Sequence, residues 1–185
     1  MSAKAAKILA WAVAAQVALL AVTGIYLFYW YRPTLSAGWF GIGGNLDGSV
    51  RVEQAIKDMH ALDARILSAT VLALAILIAV ERLGRDRLTA WLLFALSVAT
   101  TFTGLLLPWD QLALWAVTVG INMHGYQPIL DNQVRLVLIS GAEIQRSTLI
   151  RWLIIHIALG AVAVIGAARV VWVMRSVPTR TESTA

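Results

Sequence analysis

The run Leu149–Val173, LIRWLIIHIALGAVAVIGAARVVWV, decides the fold. It is long and apolar enough to cross a bilayer once as a helix, which takes about 20 residues. Three other runs match it in length and character: Ile8–Tyr31, Met59–Val80 and Leu88–Leu107. The expected fold is therefore all-α and integral to a membrane, a four-transmembrane-helix bundle. Composition agrees, with 59% hydrophobic residues and a mean hydropathy of +0.76, well beyond an ordinary soluble domain. Four such helices in 185 residues leave no room for a second core. Residues 1–178 are read as one domain, and 179–185 as a polar, disordered tail. Lys4 and Lys7 resemble the start of a signal peptide. The apolar run behind them is too long, however, and ends in Tyr26–Tyr31 (YLFYWY) rather than a small-residue cleavage site, so it reads as a retained helix.

The basic residues set the orientation. Lys4, Lys7, Arg82, Arg85, Arg87, Arg169, Arg175 and Arg180 fall on one side, in short segments. Arg32, Arg51, Lys57, Arg65, Arg135, Arg146 and Arg151 are diluted over two long connections on the other. The positive-inside rule places the dense segments, and so both termini, in the cytoplasm. The net charge of +5 reflects this bias plus contact with anionic lipid and calls for no nucleic-acid partner.

The chain has no cysteine, which excludes disulfides, thioether-linked haem, iron–sulfur clusters and thiolate zinc sites. GxxxxGK[ST], HExxH and GxGxxG motifs are also missing, and Gly41–Asn45 (GIGGN) reads as a turn. What remains is histidine. There are three, and two of them, His60 and His156, lie near the outer ends of the second and fourth helices, within about 10 Å of the membrane boundary at 1.5 Å per residue. Neutral imidazole is a common axial ligand of haem iron, and helix bundles build such sites from facing side chains. A single bis-histidine b-type haem on the outer side is the sharp reading; two histidines merely packed in a membrane bundle is the other.

The surroundings favour the first. Gly24 and Gly104 fall at the same depth, where a missing Cβ lets a flat macrocycle approach. Ala64 and Gly160 stand one turn deeper at i+4 from each histidine, and Thr101 shares a face with Gly104. Each alone is ordinary in helix packing. Lys57, at i−3 from His60, and Arg151 are candidate partners for haem propionates by charge, although long basic side chains also snorkel unaided. His124 reads as a solvated loop histidine. Trp30, Trp39, Trp109, Trp115 and Trp152 read as an interfacial aromatic belt.

Several segments together resemble the N-terminal four-helix haem-binding domain of the cytochrome b/b6 family of bc-type and b6f-type quinol-oxidising complexes. They are Thr23-Gly24-Ile25, Lys57–Ala61 (KDMHA), Thr103–Gln111 (TGLLLPWDQ), Ser147–Trp152 (STLIRW) and His156. The likeness covers nearly the whole chain, and Asp110 resembles the b6 branch. It implies that His60 and His156 are metal ligands, with Gly24, Gly104, Ala64, Thr101, Gly160, Lys57 and Arg151 around the cofactor. Relatives usually carry a second haem, held by a histidine fourteen residues beyond each of the first pair and cleared by a second pair of glycines. Here those positions are Leu74, Val170, Ala10 and Ala90, so no second haem is expected. Fourteen helical residues span about 21 Å, so a complete transmembrane electron path within the chain, and the family's inner quinone site, are expected to be missing. The Trp109–Ser147 connection resembles one wall of the family's outer quinol site, whose other wall, a PEWY-type loop, belongs to a C-terminal domain.

The resemblance thus implies a single-haem b-type cytochrome subunit of a membrane oxidoreductase complex, most naturally in a prokaryotic plasma membrane. It would pass electrons between an outward-facing redox partner and the quinone pool. The alternative is a structural membrane anchor for an extracytoplasmic redox enzyme; a haem or redox sensor is a third reading, and no signalling domain is visible in its support.

Overall fold

The computed structural model describes residues 2–33, 35, 49–81, 87–122, 139 and 144–177. Five helices follow in order: α1 Ser2–Trp30, α2 Ser49–Val80, α3 Arg87–Leu106, α4 Gln111–Asn122 and α5 Arg146–Arg175. Four of them, all but α4, are long and apolar enough to cross a membrane. His124, Trp39, Gly41–Asn45, Arg82, Arg85 and the 179–185 tail lie outside the described residues.

The spanning helices form a ring. α1 packs on α2, α2 on α3, α3 on α5, and α5 closes onto α1, so α2 faces α5 across one diagonal and α1 faces α3 across the other. The molecule is apolar on its outside: Val22, Ile25, Ile165 and Trp172 are each about 70% exposed, a surface suited to lipid. Its interior uses smaller residues. Ala6, Ala10, Val13 and Val17 form the buried stripe of α1, at the three- and four-residue steps that put one helix face against its neighbours.

The two longest extensions beyond the apolar runs are at the starts of α1 and α2. α2 begins ten residues before Met59, where the apolar run was expected to start. Its first turns, with Glu53, Gln54, Lys57 and Asp58, are too polar for a hydropathy criterion, yet they continue the helix, with Gln54 Nε2 donating to Asp58 Oδ1 at 2.8 Å, one turn on. His60 therefore does not stand near the end of its helix. It comes eleven residues after Ser49, as His156 comes ten after Arg146.

The end of the bundle that carries Tyr31 and Leu107 is tied together by polar bonds. Tyr31 Oη donates to the Leu107 carbonyl at 2.9 Å, joining the end of α1 to the end of α3. Thr148 Oγ1 accepts from the Gln145 N–H at 3.2 Å and donates to the Ile139 carbonyl at 3.0 Å, which fastens the long connection to the first turn of α5. α4 was not anticipated as an element. Its twelve residues are too short to span; it starts where Trp109, at φ 50°, turns the chain and Asp110 Oδ1 accepts from the Ala113 N–H at 3.0 Å. At the inner end, the Arg175 guanidinium carbon lies 4.7 Å from the Trp11 ring centroid, bringing the end of α5 to the start of α1.

Tyr31→Phe leaves the Leu107 carbonyl unpaired. A loss of about 1 kcal/mol is expected, seen as a lower unfolding midpoint in detergent or lipid nanodiscs.

Candidate haem site

The bundle interior is apolar at both ends and interrupted between them. Buried apolar residues of α1 skip from Val17 to Leu27; those of α3 skip from Leu93 to Leu106, and those of α5 from Trp152 to Ala163. The buried side chains in this storey are polar: Thr23, Asp63, Ser97 and Thr103. His60 and His156 occupy the same storey, on the diagonally opposed helices α2 and α5.

Each histidine is backed by a Thr-Gly pair of an adjacent helix. His60 Nδ1 lies 2.8 Å from Thr23 Oγ1, and His156 Nδ1 lies 3.0 Å from Thr103 Oγ1. The hydroxyl protons are already committed. Thr23 donates to the Leu19 carbonyl at 2.8 Å and Thr103 to the Thr100 carbonyl at 2.9 Å. Each Oγ1 therefore accepts, and each Nδ1 donates. For His156 a second contact fixes the same tautomer: its Nδ1 is 3.0 Å from the Thr100 carbonyl, which can only accept. With the proton on Nδ1, the lone pair of both rings sits on Nε2, the arrangement of a metal-ligating imidazole oriented through its other nitrogen.

The glycines stand against these rings. A Cβ on Gly104 would stand 2.9 Å from His156 Cε1, and one on Gly24 would stand 3.4 Å from His60 Cε1. Gly104 thus relieves the imidazole edge beside it, whereas a methyl at Gly24 would make only an ordinary contact with the His60 ring. At Gly160 an added Cβ meets nothing within 4 Å, so the space one turn below His156 is open.

The ring centroids of His60 and His156 are 6.3 Å apart, with planes at 60°. A metal–imidazole bond is about 2 Å and a ring nitrogen sits about 1 Å from its centroid, so two rings sharing one metal have centroids about 6 Å apart. Among the described residues no group of three or more His, Cys, Asp or Glu could hold a metal ion. A metal between the rings would take its remaining ligands from a macrocycle, and the gap in the apolar core is where one would lie.

The other expected residues are distributed unevenly. Ala64 offers its carbonyl to Ser68 Oγ at 3.1 Å and to Thr101 Oγ1 at 3.4 Å, so Thr101 ties α3 to α2. Lys57 is half-buried and Arg151 is exposed. Sequence reasoning missed the orienting role of Thr23 and Thr103. The available signal was the Thr-Gly dipeptide, which occurs at 23–24 and again at 103–104.

At the second level the interior is filled. Ala10, Leu74, Ala90 and Val170 are all 2% exposed or less and belong to one packed cluster.

The cytochrome b/b6/petB family model matches residues 6–177. The chain belongs to the cytochrome b family. It is similar to cytochrome b6 of Heliomicrobium gestii, 29% identical over 152 residues, covering 78% of this chain and 70% of that one. The menaquinol:cytochrome c reductase cytochrome b subunit of Bacillus subtilis is 26% identical over 151 residues, 78% of this chain and 67% of its own. Cytochrome b6 of Gloeobacter violaceus is 28% identical over 144 residues, 72% and 64% of the respective chains. Membership of the cytochrome b family implies that the chain binds haem b.

Because the His156 ring is held at Nδ1, it cannot give way to a new methyl group. Gly104→Ala is expected to lower the haem retained on purification severalfold, and Gly24→Ala to leave it near wild type. Haem absorbance per protein measures both; equal losses would contradict this reading of the two glycines.

Proposed function

We propose that this protein is a single-haem b-type cytochrome, the electron-transfer subunit of a larger membrane complex. Its axial ligands are His60 and His156. The observation that carries the reading is the pair of imidazoles with both Nδ1 protons tied to threonine, their centroids separated by 6.3 Å, in a break in the apolar core. A haem b bound there supplies one-electron oxidation and reduction at its iron. The protein holds the two rings in one tautomer and excludes water with the apolar packing on either side, and His60 and His156 together would hold the iron. Two protein ligands to the iron would favour electron transfer over bond chemistry.

Ala10, Leu74, Ala90 and Val170 support a single haem, because none of these side chains has an atom that binds iron and all four belong to one buried apolar cluster. Electrons then enter and leave on the outer side. The redox partners are a quinone or quinol in the outer leaflet and an outward-facing electron-transfer protein, with further subunits of a bc- or b6f-like complex. This proposal draws on the similarity to a cytochrome b6 and to a menaquinol:cytochrome c reductase cytochrome b subunit. Four crossings put both termini on one side, and the basic residues flanking them favour the cytoplasmic side of a prokaryotic plasma membrane. Lys57 and Arg151, on the outer side, are the proposed propionate partners.

His60→Leu and His156→Leu are each expected to abolish the reduced-minus-oxidised haem absorption bands, while His124→Ala leaves them unchanged. Retention of normal bands in either leucine variant would remove that histidine from the ligand set.

A further inference from the structure

Among the described residues three enclosed side-chain oxygens have no hydrogen-bond partner, on Gln16, Glu53 and Asp63, and those of Gln16 and Asp63 belong to neighbouring side chains. Asp63 follows His60 by three residues on α2, about 5 Å deeper in the membrane. It is 8% exposed, and its Oδ2 is enclosed with no hydrogen-bond partner. Its hydrogen-bonding neighbour is the Gln16 side chain of α1, whose Oε1 is also enclosed and unpartnered. An ionised carboxylate and an amide oxygen can only accept, so two acceptors stand here without a donor, in a layer where lipid supplies none. One proton resolves both. On Asp63 Oδ2 it gives the acid a donor for Gln16 Oε1, while the Gln16 amide N–H remains available to the other carboxyl oxygen. The two side chains then form a reciprocal acid–amide pair.

Few other charges bear on this carboxyl. α1 carries no titratable side chain between Lys7 and Tyr26, and α3 carries none beyond Arg87. α5 contributes His156 at this level, with exposed Arg151 further out and Arg169 further in. On α2 itself, Glu53, Lys57, Asp58 and His60 lie outward, and Arg65 is exposed. The charge that changes nearest to Asp63 is therefore the one at the histidine pair.

We propose that Asp63 is a redox-linked proton site. It takes up one proton from water when the site held by His60 and His156 gains one electron from a quinol or an outer redox protein. It returns that proton to water when the electron leaves. The inference rests on the haem reading above. Reduction removes one positive charge about one helical turn away, and in a low-dielectric interior this withdraws much of what stabilises the anion. The reduced state thus favours the acid, the form that satisfies Gln16. Raising the pH opposes reduction, so the midpoint potential falls as pH rises. For one proton per electron the slope approaches about 59 mV per pH unit, a tenfold change in proton activity.

The test uses the haem-loaded full chain in lipid nanodiscs. It combines potentiometric titrations across pH with reduced-minus-oxidised infrared spectra in H2O and D2O. Wild type is expected to show the slope and a carboxylic-acid C=O band that grows on reduction and shifts in D2O. Asp63→Asn is expected to keep its haem absorption and lose both, and Asp63→Glu to regain the slope. Gln16→Leu keeps the carboxyl but removes its partner, so the C=O frequency and the pH window are expected to move. Persistence of slope and band in Asp63→Asn would overturn the proposal. Should that variant fail to assemble, an unchanged C=O frequency in Gln16→Leu would overturn it instead. Wild-type haem with a pH-independent potential defeats this proposal alone, whereas a wild-type chain without haem defeats the haem reading and this inference with it.

Discussion

The rest of the structure depends on one constraint: two imidazoles enclosed in a helix bundle must each commit a proton to a fixed acceptor. Water is scarce inside the bilayer, so a loose N–H is costly and the rings cannot choose partners freely. The chain answers with one device used twice. A threonine gives its own hydroxyl proton back to its helix and presents its oxygen to the ring. At the second copy the glycine that follows, Gly104, also removes a Cβ that would crowd the ring edge. Helix spacing, ring tautomer and the direction of the free lone pairs all follow from that arrangement.

The same storey organises the packing around it. Inward, small and branched residues from all four spanning helices close into one continuous core. Outward, two smaller clusters gather around Leu106 and Trp152 and around Leu27 and Tyr31. The described residues are thus asymmetric along the bundle, with one large packed core on one side of the histidines and α4 with two smaller clusters on the other. On the proposed reading this asymmetry restricts electron exchange to the outer face, because tunnelling would otherwise have to cross the packed inner half unaided.

Much of this was legible in the sequence. Four apolar runs gave the bundle, and the equal depth of His60 and His156 singled out the pair from three histidines. The structure brings both to one storey, with Gly24 and Gly104 beside them. Other features depended on contacts that a hydropathy pattern cannot carry. The polar first turns of α2 read as loop because they project beyond the apolar layer. α4 escaped notice because twelve apolar residues satisfy no spanning criterion. Thr23 and Thr103 looked like ordinary motif letters until their distances to Nδ1 gave them a role. Thr101, chosen because it shares a face with Gly104, also bonds toward Ala64 and Ser68. Asp63 passed unremarked because an acid in an apolar run has meaning only once its neighbour across the interface is known.

The most direct test is the number of haems per polypeptide in the purified chain, from pyridine haemochrome absorbance set against quantitative amino-acid analysis. The account expects a ratio near one, with a low-spin reduced spectrum. A ratio near two would contradict it, because a second macrocycle would then have to occupy the space filled by Leu74 and Val170. A ratio near zero from haem-replete membranes would contradict it more deeply and leave the histidine pair a structural element of a membrane anchor.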